Sequence, residues 1–80
     1  MRISKSTAVD LMKASSGKFF TVTFNKNDGA TRTMNGSVRA KQFMSSQGYV
    51  LVKEGGKNFR SVNPRTISAL KIAGTYYQVG

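Results

Sequence analysis

Apolar and polar residues alternate most regularly from Phe19 to Met34, FFTVTFNKNDGATRTM. Phe20, Val22 and Phe24 interleave with Thr21, Thr23 and Asn25, the period of two expected of a strand with one face buried and the other in water. Asn27, Asp28 and Gly29 supply a turn, because glycine takes positive φ without steric cost and Asn or Asp tolerates the left-handed region. The returning strand, Ala30 to Asn35, puts Arg32 and Met34 on one face and Thr31 and Thr33 on the other. An isolated hairpin is marginal in water, so this one must recruit further strands.

On the N-terminal side, Ala8, Leu11, Met12 and Ser15 fall at helical spacing and predict a short helix over Ala8 to Ser15. Thr7 and Asp10 stand where a capping hydroxyl and its partner carboxylate belong, and Ser16-Gly17 ends the segment. On the other side, Asn35-Gly36-Ser37 reads as a break. In Val38 to Gln47 the residues Ala40, Phe43, Met44 and Gln47 fit one helix face, and a long irregular loop fits the same stretch equally well. Tyr49 to Lys53 is a strand, turned by Glu54-Gly55-Gly56-Lys57 into Asn58 to Val62. Asn63-Pro64-Arg65-Thr66 interrupts with one turn of 3₁₀ helix, since proline has no amide to give a ladder. Ile67 to Ala73 is the next strand, with Leu70 and Ile72 opposite Lys71, and Gly74-Thr75 leads into a last short strand, Tyr76 to Val79. The sum is a mainly β protein: a small barrel or strongly bent sheet of five or six antiparallel strands with a short N-terminal helix.

Eighty residues suit one domain with a single small core, without an internal repeat or a linker. Residues 1–17 are expected as a helical preface to a sheet domain at 18–80. Cysteine and histidine are both absent, which removes disulfides, thiolate or imidazole metal sites and the usual neutral-pH acid–base groups. The carboxylates Asp10, Asp28 and Glu54 are scattered through a cap and two turns, so neither an enzyme, a metal site nor any other cofactor is expected. Glu54-Gly55-Gly56-Lys57 is not a phosphate loop, because its glycines open a strand and not a helix. No apolar run approaches a membrane span, and Met1 to Lys5 lacks an apolar signal core, so a cytoplasmic protein is expected.

Charge changes the picture most. Thirteen Lys and Arg against three acids give +10, which favours polyanionic partners, nucleic acid first among them. Arg32, Lys53, Arg60 and Lys71 fall on strands, and closure of the sheet would gather several on one side. Arg39, Lys41, Lys57 and Arg65 lie in connections and complete the expected phosphate-binding set, with Tyr76 as the ring most exposed for stacking. Tyr49, Phe59 and Tyr77 are expected to serve mainly as packing, because a small domain needs its aromatics inside. Neutralising about five phosphates would give a slope near −4.5 in log affinity against log salt on duplex DNA. Sequence-specific reading is not expected, since no segment looks like a recognition helix.

Val22-Thr23-Phe24, Lys26, Asp28-Gly29, Arg32 and Met34, followed by Val62-Asn63-Pro64-Arg65-Thr66-Ile67, Leu70-Lys71, Gly74 and Tyr77, resemble the small SH3-like (Sm-like) β-barrel proteins encoded by bacteriophages. The resemblance covers roughly residues 18–80 and implies a barrel and a viral origin. From it follows a rival to nucleic-acid binding: a module that docks on an acidic surface of a host transcription, replication or defence enzyme. A patch such as Tyr49, Leu51 and Tyr76 would then supply affinity and a basic rim would speed association. Self-association into a homo-oligomer is compatible with the same inventory.

Overall fold

The computed structural model describes residues 1–39, 41, 43–46, 48–55 and 58–80. The chain runs β1 (Arg2–Ile3), α1 (Lys5–Ala14), β2 (Phe20–Asn25), β3 (Thr31–Ser37), β4 (Val50–Glu54), β5 (Asn58–Val62), a 3₁₀ turn (Pro64–Thr66), β6 (Ile67–Ile72) and β7 (Thr75–Val79). All seven strands form one sheet in the order β1-β7-β6-β2-β3-β4-β5. The β2–β3 hairpin is its centre. Phe20 faces Gly36 at one end and Asn25 faces Thr31 at the other, and the turn closes through Gly29 at φ 87° with Asp28 Oδ1 accepting from Ala30 N.

The sheet is mixed and open. β1 lies parallel to β7, Arg2 beside Gln78 and Ile3 beside Val79, and every other pairing is antiparallel. No ladder among the described residues joins β5 to β6 or β1, so the expected closed barrel of five or six antiparallel strands is not found. A two-residue strand has no period for a pattern to reveal, which is why β1 was not anticipated. It also carries the first residues into the sheet, while Ala8 and Met12 of α1 share one core with Phe20, Val22, Met34 and Leu70.

α1 begins earlier than expected. Its cap is Ser4, in extended conformation at φ −76° and ψ 164°, whose Oγ accepts from Thr7 N at 3.2 Å and donates to Thr7 Oγ1 at 2.9 Å. Asp10 is thus an exposed mid-helix residue and not a capping partner. The expected apolar face holds: Ala8, Met12 and Ser15 are buried and Leu11 is half-buried.

Gly36 lies inside β3 and does not break it. It pairs with Phe20 on one side and Glu54 on the other, the point where β3 passes from β2 to β4. A methyl group there would sit 2.6 Å from Val52 Cγ1 and 2.8 Å from Lys53 O, so only glycine lets β4 come this close.

Between β3 and β4, Ala40, Gln42 and Gln47 lie outside the described residues, and with them much of the alternative helix over Val38 to Gln47. The described part near its end is extended. Leu51 N donates to Phe43 O at 2.8 Å, Met44 bridges Val50, and Ser45 N donates to Tyr49 O at 2.8 Å. The turn between β4 and β5 keeps Gly55 at φ 60°; Gly56 and Lys57 lie outside the described residues. The 3₁₀ turn forms as expected, capped by Asn63 Oδ1, which accepts from Arg65 N at 3.0 Å.

Candidate nucleic-acid interface

The sheet has an inward face on the core and an outward face in water, and cross-strand register assigns the paired strand residues to one of them. Arg32 faces Phe24 and is two residues from buried Met34, and Arg60 faces buried Val52, so both belong to the inward set. They lie where that face runs out past the core, and they converge on Glu54. Arg32 Nη2 donates to Glu54 Oε2 at 2.8 Å and Oε1 at 3.0 Å, and Arg60 Nε donates to Oε1 at 3.3 Å. These are the ion pairs among the described residues.

Lys53 and Lys71 face the other way. Lys53 pairs with Phe59 across β4–β5, its ammonium 5.8 Å from the ring centroid, a cation over an aromatic face. Lys71 stands between Thr21 and Tyr76 on its neighbouring strands. The expected gathering of Arg32, Lys53, Arg60 and Lys71 on one side is therefore corrected to two outward lysines and two inward arginines tied to one carboxylate. The signal was present in the chain for all but Lys71. Arg32 and Arg60 each lie two residues from an apolar core position, Met34 and Val62, and Lys53 adjoins one, Val52, whereas Lys71 has buried Leu70 beside it and buried Ala69 two residues away, so only its pairing with Thr21 sets its face.

Between the two lysine flanks, the outward side of β2–β3 carries a cross-strand polar ladder. Thr21 Oγ1 donates to Asn35 Oδ1, the Thr23 and Thr33 hydroxyls share a bond of 3.1 Å, and Thr31 Oγ1 donates to Asn25 Oδ1 at 3.3 Å. Each bond joins residues that are register partners, so every outward position of this hairpin from Thr21 to Asn25 is tied to its neighbour. No strand places a carboxylate on the outward face: Asp10 is on α1, Glu54 faces inward with Gly36, and Asp28 is in the hairpin turn, beyond the Asn25–Thr31 end of the ladder.

The remaining expected residues are dispersed. Arg39 and Lys41 are exposed in the β3–β4 connection, Arg65 is exposed on the 3₁₀ turn, and Lys57 lies outside the described residues. Two adjoining depressions share Tyr49 and Asn63; Lys26 and Asp28 line one, and Arg65 the other. Pattern reading missed this grouping because its members come from three separate connections. Asp28 also makes it a mixed and not a cationic hollow. Tyr49, Leu51 and Tyr76 do not form one patch: Leu51 and Tyr76 are on β4 and β7, four strand spacings apart in the sheet. Tyr76 is exposed as expected, whereas Phe59, expected as packing, is 46% exposed and Phe19 is 65% exposed. No helix among the described residues is long and apolar enough to cross a membrane. No family model, no curated protein and no solved structure matches this chain.

Proposed function

We propose that this chain is a phage-encoded, SH3-like, non-enzymatic protein that binds nucleic acid in the host cytoplasm, largely without sequence preference. The observation that carries the reading is the outward face of the sheet: Lys53 and Lys71 among hydroxyl, amide and aromatic side chains, with no carboxylate among them. Cations on a surface clear of opposing charge attract phosphate over a Debye length of about 8 Å at physiological salt, and hydroxyls and amides add neutral hydrogen bonds to the same backbone. The SH3-like part rests on the resemblance of residues 18–80. It is supported by the run β6-β2-β3-β4-β5, in which Gly36 lets β4 lie close against β3 and a 3₁₀ turn leads from β5 back to β6.

Titration of the purified protein with single-stranded and duplex DNA over a range of salt tests the reading. Binding should weaken steeply with salt, with a slope of about −0.9 per neutralised phosphate on duplex and about −0.7 on single strands. Absence of binding at about 50 mM salt, or binding indifferent to salt, would overturn it. Saturable capture of a folded host enzyme without any shift of either DNA would favour the docking module instead.

A further inference from the structure

Resting on the nucleic-acid reading, we infer that the ligand is single-stranded and that its bases stack on Phe19 and Tyr76, on the β2–β6–β7 side of the outward face. Register places Asn35, Thr21, Lys71 and Tyr76 in one row across β3, β2, β6 and β7. With neighbouring strands about 4.8 Å apart, the row is about 14 Å long. Phe19 immediately precedes β2 and shares a shallow depression with Thr21, Asn35 and Lys71. Phe19 is 65% and Tyr76 59% exposed, in a chain whose small core leaves few aromatic rings to spare.

Two exposed rings on the two sides of the strand that carries Lys71, beside no carboxylate, fit a particular chemistry. Phosphate alone needs no ring, and an acidic protein surface offers no array of flat uncharged faces. A single strand offers both, base planes for Phe19 and Tyr76 and phosphates for Lys71, whereas a duplex keeps its base planes stacked inside. On the opposite flank the Lys53 ammonium lies 5.8 Å from the Phe59 ring centroid, so that cation and that ring are engaged with each other.

The test is fluorescence anisotropy with a labelled oligothymidine of about 12 nucleotides and a duplex of the same length, on the full chain and its Phe19→Ala, Tyr76→Ala, Lys71→Ala and Phe59→Ala variants. Phe19→Ala and Tyr76→Ala should each weaken the single strand by about 5- to 150-fold, with duplex affinity nearly constant and the salt slope unchanged. Lys71→Ala should flatten the single-strand slope by about 0.7, and Phe59→Ala should leave single-strand affinity within about twofold. Circular dichroism of these surface variants checks that each is folded. Equal binding of both DNAs that neither ring variant alters would overturn the stacking platform and leave the polyanion reading standing; binding of neither DNA at low salt would overturn both. A matching loss in Phe59→Ala would move the platform to the other flank and also overturn the inference.

Discussion

Gly36 is the residue whose missing side chain makes room for β4. With Val52 Cγ1 and Lys53 O both within 3 Å of where a methyl group would sit, Gly36→Ala must push β4 away from β3 or bend both strands. We expect a loss of about 1–3 kcal/mol, read as a lower urea midpoint with an unchanged slope. The opposite case is Ala73, which with Gly74 makes the β6–β7 turn and holds φ 52° despite its methyl group. Asn tolerates that conformation better and Asn-Gly suits such two-residue turns, so Ala73→Asn should raise stability by about 0.5–1 kcal/mol, a Tm gain of about 2–8 °C. Sequence shows both glycines as interruptions. It does not distinguish one needed for positive φ, such as Gly74, from one needed because a neighbouring strand leaves no room, since the second depends on a residue sixteen positions away.

At the scale of elements, what alternates locally was legible and what depends on a partner was not. Phe20–Asn25, Val50–Glu54 and Asn58–Val62 fall within a residue of where their patterns put them. The start of α1 does not, because its first turn, Lys5 to Thr7, is polar and exposed, and an apolar stripe that begins at Ala8 gives no sign of it. The two capping arrangements predict different mutants. Ser4→Ala removes the acceptor of the Thr7 amide and should cost about 1 kcal/mol, while Asp10→Asn should stay within about 0.5 kcal/mol, both by thermal unfolding. A large effect at Asp10 with none at Ser4 would restore the later start. β1 exists only because β7 offers it an edge, with Gln78 N donating to Met1 O at 2.7 Å and Gly80 N to Ile3 O at 3.1 Å. Nothing within Arg2–Ile3 itself encodes that pairing.

Across the whole molecule, the question is whether +10 acts as a diffuse cloud or through one face. The sheet supplies a matched pair to separate the two. Lys53 and Arg60 lie on adjacent strands, next to each other's register partners, yet face opposite sides. Lys53→Ala and Arg60→Ala each remove one positive charge, so a diffuse cloud predicts equal losses of DNA affinity. An outward interface predicts inequality: Lys53→Ala should flatten the duplex salt slope by about 0.9, while Arg60→Ala, whose guanidinium already holds Glu54 at 3.3 Å, should leave it nearly unchanged. Working at about 150 mM salt strengthens the comparison, because screening beyond about 8 Å suppresses the shared effect of net charge and leaves the local contacts. If the two variants fall together, or Arg60→Ala falls further, the outward face is not where phosphate sits, and the Arg32–Glu54–Arg60 cluster becomes the surface to probe.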